Sequence, residues 1–201
     1  MFPILMSQKS LSEIVFNLAQ LQDEGIDRNL SFLLGVIYMN MQSNIFGDKL
    51  GESVGLLSTF YQKYTTNSAI KDNCLSSMCK LYLNPLLTTQ VQGLLTMENL
   101  VSQIETNVPL EGDPQESNYI WKILFTLYQK DKEGTEMKII NNTRLLTFLL
   151  KTLVYDKAKI DDQIFDWIMA IAKGTSAQQA LRNLTGSLDA SSSSKLALVL
   201  S

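Results

Sequence analysis

Histidine is absent from this 201-residue chain. That removes imidazole general-base catalysis, the Ser-His and Cys-His nucleophile pairs, and every zinc or iron site that uses a histidine. Cysteine is almost as scarce. Cys74 and Cys79 are the two present, too few for the disulfide framework of a small secreted domain, and they are expected to be reduced thiols. No apolar run approaches the ~18 residues that cross a bilayer. The opening MFPILMSQKS has neither the basic start nor the long apolar core of a secretory signal, so an intracellular protein with no membrane partner is expected. Lysine and arginine (17) are outnumbered by aspartate and glutamate (20), for a net charge of −3. A chain of that balance is not expected to grip nucleic acid, which needs a surplus of cations, and any charged partner should be basic.

Cofactor signatures are missing too. The glycines at 35, 47, 51, 55 and 93 fit no phosphate-binding pattern, and no Gly-Lys-Ser/Thr run exists. Asp161, Asp162 and Asp166 crowd one helix start, where the helix dipole favours negative charge, but no alternating ligand loop for calcium accompanies them. No metal, cofactor or enzymatic activity is expected.

What is present is helical. At 45% apolar and 18% charged residues the composition is that of a folded soluble chain. The 3.6-residue period recurs throughout, whereas strand-like alternation never persists. A first helix is expected from the capping pair Ser10 and Glu13, with Leu11, Ile14, Val15, Leu18 and Leu21 on one stripe, stopping near Gly25. Asp27 should cap a second, carrying Leu30, Leu33, Leu34, Ile37 and Met41. A third follows Gly47 and Asp48 with Leu50, Val54, Leu57, Phe60 and Tyr64. Ser68 and Pro85 bracket a fourth, and Met97, Leu100, Val101 and Ile104 mark a fifth that ends before Pro109. Asp113 as N-cap, Pro114 at the first position and Glu116 three residues after the cap open a sixth. Further helices are expected over 142–154 (Leu145, Leu146, Leu149, Leu150, Leu153), from Asp161 to Gly174 (Ile164, Trp167, Ile168, Ile171), over 175–184, and around 196–200 at the C-terminus.

Every second cap falls 41, 45 and 48 residues after the last, at Asp27, Ser68, Asp113 and Asp161. This is close to the roughly 40–47 residues of a two-helix HEAT or armadillo unit. The sixth helix adds a second indication. Ile120, Ile123, Leu124 and Leu127 form one apolar face, and Trp121, Phe125 and Tyr128 form another. A helix apolar on two sides must be covered on two sides, as a hairpin partner and an adjacent repeat would do in a solenoid. The expected architecture is all-α: a right-handed α-solenoid of antiparallel helix pairs forming one domain over 1–201, about four to five pairs, with a C-terminal helix in 187–201.

Cys74 and Cys79, five residues apart on the fourth helix, would point about 140° away from each other. They could share neither a metal ion nor a disulfide, and Cys74 falls in line with Ile70, Met78 and Leu81 as a small apolar side chain. Trp121 and Trp167 read as core. Lys71, Lys80 and Lys122 read as single charges on polar faces.

The segments DRNLSFLLGVI at 27–37 and IKDNCLSSMCKLYLN at 70–84 resemble second helices of HEAT repeats in the karyopherin-β (importin-β) nuclear transport receptors. NVPLEGDPQESNYIWKILFTLY at 107–128 is similar to a segment near the C-terminus of importins related to the receptors for ribosomal proteins and histones. LRNLTGSLDASSSSKLALVLS at 181–201 looks like the last helical turns of such a receptor. The resemblance covers about residues 25–201. It implies the C-terminal HEAT segment of a nuclear import receptor, at work in cytoplasm and nucleus, that carries protein cargo with basic segments and touches nucleoporin Phe-Gly repeats. Such receptors are several times longer and use N-terminal repeats for the GTPase Ran, so Ran is not expected to bind this chain alone. The alternative is a HEAT or armadillo scaffold subunit of a non-transport complex, with a small helical enzyme as the third reading.

If the repeats stack, the first turns of the second helices bring Asp27, Asp72, Asp113, Glu116, Asp161 and Asp162 to one rim. Asp27 and Asp113 serve there as caps. Asp72, Glu116, Asp161 and Asp162 are the candidates for meeting a basic partner.

Overall fold

The computed structural model describes residues 8–40, 49–110, 114–154 and 160–200. Among them are twelve α-helices and no strand. They are α1 (Gln8–Ala19), α2 (Glu24–Asn40), α3 (Leu50–Lys63), α4 (Ser68–Leu83), α5 (Thr88–Gln92), α6 (Met97–Asn107), α7 (Ser117–Lys130), α8 (Lys132–Asn141), α9 (Thr143–Lys151), α10 (Asp162–Lys173), α11 (Gln178–Ser187) and α12 (Ala190–Leu200). Short 3₁₀ turns at Pro114–Glu116 and Thr152–Val154 adjoin α7 and α9, and a third at Thr175–Ala177 leads into α11. The chain divides into two units. Unit 1 comprises residues 1–103 and 110–119, and unit 2 comprises 104–109 and 120–201.

In unit 1, helix α4 is the central element. The Asn67 side chain caps it by accepting the Ile70 N–H, and Asn84, pushed to extended backbone ahead of Pro85, ends it. Twelve of its sixteen residues are buried, including Asp72, Asn73, Ser76, Ser77 and Lys80. Antiparallel α2 and α3 are tied at both ends, through Asp27 with Lys63 and Tyr64 and through the Tyr38 hydroxyl with Ser53 Oγ at 2.8 Å. Helix α4 then runs parallel to α2. Its Asn73, Ser77 and Asn84 side chains donate to the Arg28, Ser31 and Tyr38 carbonyls, pairs that are 45, 46 and 46 residues apart. The two helices touch where Gly35 faces Ser77. A core of Leu34, Leu57, Ile70, Cys74, Leu75, Met78 and Leu81, each at most 1% exposed, fills the space between the elements.

In unit 2, Asn142 caps α9 by accepting the Arg144 and Leu145 N–H groups, and Asp161 caps α10 by accepting the Gln163 N–H. Helix α9 packs on α8 and α11, and the Thr152–Val154 turn packs on α10 and α12. Both faces read for the sixth helix carry packed residues. Ile120, Ile123 and Leu124 are fully or almost fully buried, while Trp121 contacts Phe148 and Phe125 contacts Trp167, with centroids 6.2 and 5.5 Å apart.

Several expected boundaries move. Ser10 lies inside α1, which begins at Gln8. The chain reverses at Gln22, at φ 53°, and not at Gly25, which sits in the first turn of α2. The α2 start is held by Asp23, whose Oδ1 accepts the Ile26 N–H, so Asp27 is not the cap. Along α1, Val15 is buried while Ile14, Leu18 and Leu21 remain exposed. Helices α5 and α8 are additions to the expected set, and α12 includes the whole serine run at 191–194. Met41, Gly47, Asp48 and Asp113 fall outside the described residues.

Candidate functional site

Polar side chains concentrate inside unit 1. Lys80 is 2% exposed and Glu116 8%. The Lys80 ammonium bonds Glu116 Oε2, and Ser76, one turn earlier on α4, donates to the same oxygen. The Phe32 and Tyr119 rings flank the ammonium, with centroids 4.8 and 4.5 Å away, close enough for cation–π attraction. Burial, and then the Glu116 charge, push the Tyr119 phenol above its usual range. Lys80 is therefore not a charge on a polar face. The Lys80–Glu116 pair itself is buried, with the half-buried Tyr119 ring and the partly exposed Phe32 ring over the ammonium, so both charges are spent on each other.

A second cluster joins the start of α2 to the end of α3. Asp27 is 0% exposed and its Oδ2 accepts from Lys63 Nζ at 3.1 Å and from the Tyr64 hydroxyl. Bonds to Tyr64 and then to Asp27 raise Lys63, while burial followed by the Asp27 bond raises Tyr64.

The four candidate carboxylates separate. Asp72 is 4% exposed, and Glu116 is spent inside the chain on Lys80 and Ser76. With Asp27 also internal, unit 1 presents no row of carboxylates from these positions. The expected rim fails there because these acids are buried within their own unit, where Asp27 and Glu116 each satisfy neighbouring donors. Asp161 and Asp162 differ. Both are exposed at the start of α10, Asp161 as its cap.

Cys74 and Cys79 are free and buried. Burial raises the Cys74 thiol from 9.0 to about 12, and burial raises Cys79 as well. Neither is a nucleophile near neutral pH, since the thiolate is the reactive form. The native protein should leave both unreacted with a thiol reagent at about pH 8 and expose both in denaturant. A thiol held protonated by the fold stabilises fully below the unfolded pKa, and that contribution is lost as pH rises from about 9 through the folded value. Unfolding free energy should then fall by roughly 1.4 kcal/mol per pH unit per thiol. A Cys74→Ala/Cys79→Ala variant should lose that part of the slope, and an unchanged slope would show that the thiols ionise in place.

In comparisons with protein-family models, curated proteins and solved structures, no match to this chain is found. Among the described residues no group of three or more cysteine, aspartate or glutamate side chains is placed to hold a metal ion, and no helix is long and apolar enough to cross a membrane.

The sequence reading missed the Lys80–Glu116 pair. No local signal marked it: Lys80 shares its face of α4 with Asn73, Ser76 and Ser77, a pattern that reads as a solvent-facing polar face.

Proposed function

We propose that the chain is a protein-binding module of stacked antiparallel helix pairs. What carries this reading is the repeat geometry of unit 1. Helix α2 runs antiparallel to α3 and parallel to α4, with side-chain bonds between residues 45 or 46 apart. That displacement matches the length of one two-helix unit. Arrays of such units present long surfaces to other proteins. The finer reading, the C-terminal part of a nuclear import receptor carrying basic cargo between cytoplasm and nucleus, rests on the sequence resemblance.

On this reading Asp161 and Asp162 are the carboxylates that meet a basic segment. An exposed ion pair contributes only ~0.2–1 kcal/mol and is screened by salt. Asp161→Asn with Asp162→Asn should therefore weaken a Lys-rich peptide several-fold at low ionic strength. Stability should hardly change, because asparagine caps a helix as well as aspartate does. A Lys-rich peptide bound equally by the unaltered chain and by the double variant would leave these residues as caps only. Immobilised Phe-Gly repeats and basic ribosomal-protein tails test the transport reading, and retention of neither would favour the scaffold alternative.

A further inference from the structure

Unit 2 has a cleft of about 170 Å³ lined by Pro109, Thr143, Arg144, Thr147, Phe148 and Lys151. It is smaller than the ~300–1,000 Å³ of a small-molecule pocket, a size suited to one side chain rather than a cofactor. Its floor is apolar, made by Pro109 and by a Phe148 ring that Trp121 backs from within the unit. Its rim is cationic. Arg144 and Lys151 stand seven residues apart on α9, which puts them on nearly the same line about 10.5 Å apart along the axis. Thr147 and Phe148 fall between them. Arg144 is fixed across the cleft by a bond from Nη1 to the Thr106 carbonyl at 2.9 Å, which uses one of its five donors. Among the described residues no carboxylate lines the cleft, and neither cation belongs to an ion pair. Two cations with no acid partner among the described residues thus bracket an apolar depression in a chain whose net charge is −3.

We infer that this cleft docks an extended acidic peptide, in which one large apolar side chain enters between Arg144 and Lys151 and a carboxylate on either side meets each cation. The spacing suits that ligand. In an extended chain the side chains two residues before and after a given one share its face and span about 13 Å at ~3.3 Å per residue, which long arginine and lysine side chains can follow. The interaction stands on unit 2 and does not depend on a basic partner elsewhere: failure here would leave the Lys-rich peptide result untouched.

The test is fluorescence anisotropy of the full chain with a labelled Glu-Ser-Phe-Ser-Glu peptide at low salt. Gln-Ser-Phe-Ser-Gln and Glu-Ser-Ser-Ser-Glu peptides serve as comparisons. The first should bind best, and added salt should weaken it. Arg144→Gln and Lys151→Gln should each reduce its affinity about two- to five-fold, the range of a single exposed charge contact. Thr147→Trp, which fills the cleft, should abolish binding while circular dichroism stays that of the unaltered chain. The inference is overturned if the glutamate and glutamine peptides bind equally, if the Arg144→Gln/Lys151→Gln double variant keeps full affinity, or if no binding is seen up to about 1 mM peptide.

Discussion

Gly35→Ala is expected to destabilise unit 1 by at least the ~1–3 kcal/mol that overpacking a core costs. A Cβ at this position would lie 2.2 Å from Ser77 Oγ, 2.8 Å from its Cβ and 2.9 Å from its Cα. The hydroxyl could rotate away, but the Cα belongs to the backbone of α4 and can yield only if the two helices part. Intrinsic propensity points the other way, since alanine inside a helix is favoured over glycine by ~0.8–1.0 kcal/mol. The sign of the measured change therefore decides between packing and propensity. Chemical denaturation followed by circular dichroism is the suitable probe, because both tryptophans lie in unit 2. Adding Ser77→Ala should recover only part of the loss, as it removes the hydroxyl and leaves the rest of the clash with α4 in place. A more stable Gly35→Ala would refute the close approach of α2 and α4.

The second large effect is expected at Lys80 and Glu116. Breaking a buried pair by removing one charge costs ~3–5 kcal/mol, because the remaining ion is left without compensation. Glu116→Gln keeps nearly the same shape and an acceptor for Ser76 yet strands the Lys80 ammonium, so its cost isolates the charge. Lys80→Met alone should cost a comparable amount, as it leaves Glu116 unpaired. The double variant Lys80→Met/Glu116→Leu should lie near the unaltered chain, since a well-packed apolar replacement of a buried pair is often neutral or better. A double-mutant cycle reads the coupling directly. Single variants that cost under ~1 kcal/mol would mean that the pair is solvated. Tyr119 supplies an independent readout. Its phenol should titrate lower in Glu116→Gln, by the smaller part of its shift, because burial contributes the larger.

Helix positions were most legible where a cap and an apolar stripe coincide. Asp161, Ile164, Ile168, Ile171 and Gly174 locate α10 to within a residue, and α4 and α9 start and stop near their expected ends. Helix α8 escaped notice because it buries only Thr135 and Ile139 and so carries no stripe. Its one signal was the Asp131 side chain three residues before Gly134, whose N–H it accepts. The acids misled for a related reason. A carboxylate in the first turn of a helix reads as a cap or a surface charge, and a local sequence pattern contains nothing about partners that arrive from elsewhere. Asp27 meets groups 36 and 37 residues away, and Glu116 meets groups 36 and 40 residues away. The cleft at Arg144 and Lys151 was equally hidden, since Pro109 joins its wall from well upstream in the chain.

Unit 1 is discontinuous, and its last piece, residues 110–119, supplies the carboxylate that balances Lys80. During synthesis the two members of the pair therefore become available at different times. When residues 1–103 have left the ribosome the helices around α4 are complete, but Lys80 has no acid beside it, and closing the interior would bury a bare cation. Until Glu116 emerges, closing that stretch would carry the ~3–5 kcal/mol cost of an unpaired buried charge. A mutation that displaces the 110–119 segment should therefore be felt as far away as the helices around α4, which depend on a carboxylate made later in the chain.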